Sequence, residues 1–467
     1  MFKDVQRDIR RTTFSVFARN KGILQHVFNV LDRVGFSYVN YTSNEDWSLF
    51  WAHEYPFNKE MARVFQNMKA YQKVNKIPGM TLLTNKINLV TSNLTHIPPA
   101  FRIPQSLPEL KRYSKKYPKT IFVHKSAQHR EIVIRTPEEV ISSVNVNKST
   151  FAQVYVPNPL LIDGYKFDIG VYVIVSSIFP LRVYVYEGDA QFRFCRKKYH
   201  PFDKKDVEKY VVGGSFRPIW KVPSLSKLYN HHEYTRREVF NAHLRSLGKD
   251  PVLIWKKIYD IIHNVFISQA TQLSSAVKKY PYPNSFFELV RFDFILDSKF
   301  NIYLMEINMS PNLSSMHYSK QSTMFEQVIY NSLRLVNVAR GGILSDSLKE
   351  TSAGERKMQV SDRDIAVSPE VCSSFQCTSQ DSCKKVQCQL CKECLSHKEL
   401  TSIYSAYLEH LNRHACKRLI PKPLQSREKA KKEAQPNSKY YANLSPGDLK
   451  MHQWFLQKCL QNEKWCE

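Results

Sequence analysis

Two apolar runs, Phe292-Asp-Phe-Ile-Leu296 and Ile302-Tyr-Leu-Met-Glu-Ile-Asn308, are separated only by Asp297-Ser-Lys-Phe-Asn301. Runs rich in aromatic and aliphatic residues with so short a polar link predict a β-hairpin. Glu306 and Asn308 are two apart, so on a strand they share a face. With the turn centred near residues 299–300, Asp293 stands roughly opposite Glu306. Phe292, Phe294, Met305, Ile307 and Met309 around them are large and apolar. Both faces of the sheet are therefore expected to be covered, and a carboxylate there needs a partner. Three hard oxygen donors at one spot suit Mg²⁺, which takes few protein groups and completes its shell with water and phosphate. The competing reading is an ordinary solvated sheet face.

The rest of the first 340 residues mixes strands and helices. Thr120–Lys125, Ile132–Arg135 and Phe151–Val156 read as strands. Val171–Ser176 and Leu181–Glu187 read as a hairpin turning near Pro180. Ile254, Ile258, Ile261, Ile262, Val265 and Phe266 have helical spacing within 252–279, and a second helix is expected from Ser322 to about Val338. This pattern argues for an α+β (mixed α/β) fold and against a bundle or sandwich.

Charge narrows the class of partner. Formal net charge is +26, with 68 basic and 42 acidic side chains, and +21 of it falls within residues 1–340. Such a body favours an acidic partner: nucleic acid, anionic lipid or an acidic protein segment. No RNP-like, zinc-finger or helix-turn-helix signature supports nucleic acid. The longest largely apolar, uncharged run, Ile169–Leu181, is too short to span a bilayer, which takes ~20 residues. Nine of the ten cysteines lie between Cys372 and Cys466. The cysteine-poor body reads as a reduced, intracellular protein.

Four ordered motifs resemble the tubulin tyrosine ligase-like family of ATP-grasp ligases. Phe292–Leu296 followed by Leu304-Met-Glu-Ile-Asn-Met-Ser-Pro-Asn312 resembles its metal-binding signature. Tyr71-Gln-Lys-Val-Asn-Lys-Ile-Pro-Gly79 resembles its "Q-x-VNHFPG" segment, and Phe286-Phe-Glu-Leu289 the lead-in to the hairpin. Gln153–Val156, Pro159-Leu-Leu-Ile-Asp-Gly164 and Lys166-Phe-Asp-Ile-Gly-Val-Tyr-Val173 resemble the central core. The resemblance covers about residues 45–340. It implies an ATP-grasp body that joins glutamate to glutamate side chains of tubulin C-terminal tails through an acyl phosphate. ATP, Mg²⁺, free glutamate, microtubules and a cytoplasmic, cytoskeletal setting follow. Residue by residue, it implies that Lys125, Arg130 and Lys166 serve catalysis. Lys125, Lys166 and the hinge Gln153, Val154, Tyr155 and Val156 would bind ATP, and Asp293, Glu306 and Asn308 would bind Mg²⁺. Residue patterns and this resemblance together give the expected organisation: a small N-terminal α/β domain (1–70), a central subdomain (71–155), a C-terminal subdomain with the metal site (156–340), a polar, Ser-rich linker (341–371) and a cysteine-rich module with its tail (372–467).

Three departures bear on activity. The loop after Lys125 reads Ser-Ala-Gln-His-Arg-Glu131. It lacks the glycines that let backbone N–H groups approach phosphate, and Glu131 adds a repelling charge. Gly170 stands where the family has an arginine thought to contact the incoming amino acid, so a carboxylate-binding cation must come from elsewhere. No "HLTN" segment is recognisable within 199–234. An active ligase and a non-catalytic, microtubule-binding relative both stay open. In the tail, Cys388, Cys391 and Cys416 with His410 or His414 could clamp Zn²⁺, the alternative being free or disulfide-linked cysteines. Residues 421–440 read as a flexible linker, and Trp454 and Phe455 as exposed docking residues on a terminal helix.

Overall fold

One long strand, Tyr165–Ile178, organises the body. Glu288–Leu296 pairs antiparallel along one of its edges, and Ile302–Asn308 pairs with Glu288–Leu296 in turn. The opposite edge is shared: Gln191–Phe194 pairs with residues 167–170, and Leu181–Tyr186 with residues 173–178. This computed structural model describes residues 12–42, 45–92, 94–126, 132–145, 150–339, 359–377, 380–434 and 444–467. Both hairpins expected from the sequence are formed, and Asp293 pairs directly with Glu306 across an irregularity beside Phe294.

The sheet is covered on both faces, which is why its strands read as nearly continuous apolar runs. Phe167, Ile169, Val171, Phe292 and Phe294 point to the face covered by helix Pro251–Val277. That helix begins at Asp250, whose side chain accepts from the Val252 N–H, with Pro251 in its first turn. Its Ile254, Ile258, Ile261, Ile262, Val265 and Phe266 are buried, each side chain contributing about 1.5–3 kcal/mol. On the other face, Tyr172, Ile174 and Tyr184 pack with helix Ser322–Leu335 and with helix Gln25–Arg33 of the N-terminal region.

Two four-stranded sheets flank this centre. The N-terminal one is parallel, with Thr13–Phe17 between Ser37–Tyr38 and Leu49–Ala52, and Lys73–Val74 beyond. The other is antiparallel, in the order Ala100–Ile103, Thr150–Val154, Phe122–Ser126, Val133–Arg135.

The cysteine-rich region corrects three expectations. First, the zinc site is not there. Cys372–Cys391, Cys377–Cys388, Cys383–Cys394 and Cys459–Cys466 are disulfides, and no metal-holding cluster of His, Cys, Asp or Glu occurs among the described residues. Short 3₁₀ turns carry Cys388 and Cys394, and each of Cys388, Cys391 and Cys394 takes its own upstream partner, so the C-x-x-C steps never converge. His410 stacks on Trp465 at 3.7 Å, and burial lowers its pKa to about 2. Second, Trp454 and Phe455 are buried, and Trp454 Nε1 donates to the Ile365 carbonyl at 2.9 Å. Third, within 421–440 the residues Arg427–Glu433 form a helix against helix Pro446–Gln461; 435–440 lie outside the described residues. The region is also not a mere appendage. Its strand Cys416–Ile420 adds to the large sheet beside Leu181–Tyr186. The Glu409 carboxylate receives Arg182 at 2.8 and 3.0 Å, Ser176 Oγ at 2.9 Å and Tyr184 OH at 3.0 Å.

Candidate active site

Strand register places the polar side chains of the large sheet together. Asp168 pairs with Arg193, Gly170 with Gln191 and Asp293, Tyr172 with Arg291, Asp293 with Glu306, and Arg291 with Asn308. Because side chains alternate along a strand, all of these share one face. Their odd- and even-numbered neighbours fill the apolar core behind. The polar face floors a cavity of about 480 Å³, within the usual range for a small-ligand site.

The floor is an ion-pair network. Arg291 donates from Nε to Asp293 Oδ1 at 2.6 Å and from Nη2 to Oδ2 at 2.9 Å. Arg193 reaches Asp168 with Nε at 2.9 Å and Nη2 at 2.8 Å, and Asp293 Oδ2 with the same Nη2 at 2.8 Å. Asn308 Nδ2 adds a fourth bond to Asp293 at 2.9 Å. Burial pushes the Asp293 carboxyl up, but the Arg291 and Arg193 guanidiniums outweigh it and hold the group below the usual carboxylate range. Asp168 is raised by burial and by the neighbouring Asp293 charge, against the opposing pull of Arg193 and Arg291. Glu306 stands nearer the opening and pairs with Lys86 of helix Lys86–Val90 at 3.1 Å.

Lysines and apolar side chains complete the lining, Lys166 from the floor's own long strand and the others from the antiparallel sheet and its surroundings. Lys125 stands next to last in the strand Phe122–Ser126 of the antiparallel sheet and lines the cavity. Burial, then the neighbouring Lys86 charge, lowers its pKa to about 8. Lys166 donates to the Tyr210 carbonyl at 2.9 Å and lies over the Tyr155 ring; burial lowers its pKa also. Val154, Tyr155 and Val156 line the cavity, facing Ile295 and Met305 of the hairpin.

These residues fit a magnesium–nucleotide. An apolar slot between Val154–Val156 and Ile295–Met305 suits a planar base, and Lys86, Lys125 and Lys166 suit its phosphates. Among the described residues the Asn308 Oδ1 accepts no hydrogen bond, and Glu306 has a single ionic partner. Asp293 differs, because its Oδ2 accepts three hydrogen bonds and its Oδ1 one, which leaves only Oδ1 with an open acceptor position. Asp293, Glu306 and Asn308 are thus brought together as the spacing predicts, with Asp293 Oδ2 taken up by Arg291, Arg193 and Asn308. Gln153 stands behind the wall, fully buried, donating to the Pro98 carbonyl at 3.2 Å. Arg130 and Glu131 lie outside the described residues.

Four site residues escaped the sequence reading: Lys86, Asp168, Arg193 and Arg291. A signal for three of them was present. Asp168, Arg193 and Arg291 are charges inside otherwise apolar strands, which demand partners; only the register says which.

Comparison with known proteins now adds weight. Residues 57–342 match the Tubulin-tyrosine ligase family. A probable tubulin polyglutamylase, ttll-15 of Caenorhabditis elegans, is 34% identical over 99% of this chain and 87% of its own length. Tubulin polyglutamylase TTLL6 of Mus musculus is 27% identical over 69% of this chain and 40% of its own length. Tubulin polyglutamylase TTLL5 of Homo sapiens is 29% identical over 62% and 23%, respectively. The chain therefore spans most of the nematode relative but well under half of the two mammalian ones. With a match of that extent laid over this cavity and its ordered motifs, the chain belongs to the tubulin-tyrosine ligase family.

Proposed function

We propose that this chain is an ATP-dependent ligase that adds free glutamate to glutamate side chains of tubulin C-terminal tails. The observation that carries the reading is the cavity itself: three lysines, a floor of carboxylates and guanidiniums, and an apolar slot line one space. ATP, as co-substrate, would transfer its γ-phosphoryl group to the acceptor carboxylate with release of ADP. The incoming amino group would then displace phosphate from the acyl phosphate, losing a proton as the amide forms; bound Mg²⁺ would neutralise phosphate charge. Lys125, Lys166 and Lys86 hold phosphate charge, and Val154, Tyr155 and Val156 frame the base. Glu306 and Asn308 would hold Mg²⁺, with Asp293 Oδ1 as a third oxygen donor. Arg130 is assigned to catalysis by the family resemblance alone. The basic body attracts the acidic tail, and the microtubule cytoskeleton of the cytoplasm is the proposed workplace.

Purified protein incubated with ATP, Mg²⁺, labelled glutamate and microtubules tests this. The expected result is ATP-dependent label on tubulin, lost when the tubulin tails are removed. No label, with microtubule binding that persists and weakens in salt, would instead establish the non-catalytic relative.

A second acceptor is favoured by the four disulfides, since such bridges persist in oxidising compartments and are rare in the cytosol. It is a glutamate-rich protein of such a compartment, modified by the same chemistry. Label on glutamate-rich secreted proteins but not on tubulin would select it.

A further inference from the structure

Gly170 is a glycine that its backbone does not require. The positive-φ glycines are Gly35, Gly79, Gly164 and Gly248, and Gly170 is not among them. What it provides is space. A Cβ at 170 would lie 2.7 Å from Arg291 Cδ, 3.0 Å from its Nε and 3.1 Å from Gln191 Cβ. Arg291 comes from the neighbouring strand, two residues from the pairing partner of Gly170, and its side chain crosses directly over that position. It cannot step aside freely, because two hydrogen bonds fix it to Asp293 and it is 7% exposed.

The guanidinium so placed has an edge left over. Arg291 commits Nε and Nη2 to Asp293, and Arg193 commits Nε and Nη2 to Asp168 and Asp293. Among the described residues, neither Nη1 makes a hydrogen bond, and both arginines line the cavity. Two rigid guanidiniums with spare donors, on the same face and joined through one aspartate, form a receptor for a second carboxylate. The acceptor tail enters as a side-chain carboxylate that must react; the incoming amino acid carries an α-carboxylate that must not.

We infer that Arg291, seated in the space left by Gly170 and paired with Arg193, binds the α-carboxylate of the incoming amino acid and so sets the ligase's requirement for an α-amino acid. The inference rests on the proposed ligase function and names the substrate-reading residue within it. Asp293 then acts as a positioning residue that aims both arginines.

The test uses the full chain as wild type, R291A, R291K, G170A and the exchange G170R/R291G. Glutamate is compared with 4-aminobutyrate, which lacks the α-carboxylate, and binding of a fluorescent ATP analogue with Mg²⁺ is followed in parallel. R291A and R291K are expected to raise the KM for glutamate about tenfold or more, with nucleotide affinity within about twofold. R291A should also lose the preference for glutamate over 4-aminobutyrate. G170A, which crowds Arg291 without removing its charge, should raise KM in the same direction and stands in if R291A does not fold. The exchange should recover much of the loss by returning a guanidinium from the other strand. An unchanged glutamate KM in folded, nucleotide-binding R291A or G170A would overturn the inference and leave Arg291 as a structural staple. If the wild type ligates nothing, the proposed function fails, and labelled glutamate with the Mg²⁺–ATP analogue still decides by equilibrium dialysis. Binding lost in R291A supports the carboxylate receptor; no binding by the wild type overturns it.

Discussion

The ligase body and the cysteine-rich region solve the same problem differently. The body buries long strands on both faces and uses ion pairs where function needs charge. Its free cysteines, Cys195 and Cys416 (the latter on the strand lent by the cysteine-rich region), are buried, and burial pushes both thiols up to about 12, so neither is a reactive thiolate. Residues 359–467 have a smaller core around Trp454, Phe455 and Trp465 and add four cross-links within short loops. A small core with little apolar area to bury gains most from cross-links. Yet the two regions share a sheet, through Cys416–Ile420, and a buried ion pair, through Arg182 and Glu409. Their difference in what holds them together is therefore not independence.

The largest expected effect lies wholly in the body. Glu306→Ala removes the most open oxygen donor and should lower glutamate incorporation by ~10³-fold or more, with the thermal melt almost unmoved; label counting and calorimetry check both. Next is the joint between regions. Glu409→Ala leaves Arg182 buried without its counter-charge and should cost about 3–5 kcal/mol, read by denaturant unfolding. Should it cost less than about 1 kcal/mol, the two regions are only loosely coupled. Reduction separates them further. Dithiothreitol should lower the stability of residues 359–467 by about 2–4 kcal/mol per bridge while protecting amide exchange in 165–178 and 288–308 far less affected. Equal loss in both would show one cooperative unit.

The smallest effect is a pH dependence confined to the body. The Lys125 ammonium is charged below a folded pKa of about 8 and neutral above it. Phosphate needs the cation, so nucleotide affinity should be strongest below pH 8 and fall as pH rises through it, by at most about tenfold per unit. Lys125→Arg, whose side chain stays charged, should flatten that profile. A wild-type profile that is flat to pH 9.5 would separate Lys125 from the phosphates.

Legibility followed the same division. In the body, the alternation in 292–296 and 302–308 announced both the hairpin and the shared face of Glu306 and Asn308, because strand geometry is local. The short link fixed the pairing of Asp293 with Glu306 for the same reason. In the tail, C-x-x-C spacing was compatible with zinc or with disulfides, since both draw on the same thiols. Trp454 and Phe455 looked exposed only because their cover, Ile365 and Trp465 among it, comes from elsewhere in the chain.

From its own order of residues the chain determined a mixed α/β body, a hairpin of oxygen donors and a basic surface waiting for an acidic partner. Those follow from periodicity, turn length and charge, which need no knowledge of distant contacts. Only the tertiary structure decided that Asp293 answers to Arg291 and Arg193, that Gly170 makes room for a side chain from another strand, and that the cysteines pair with one another. Each of these depends on which strand or turn lies alongside which, and that is set by burial of the whole sheet rather than by any single segment.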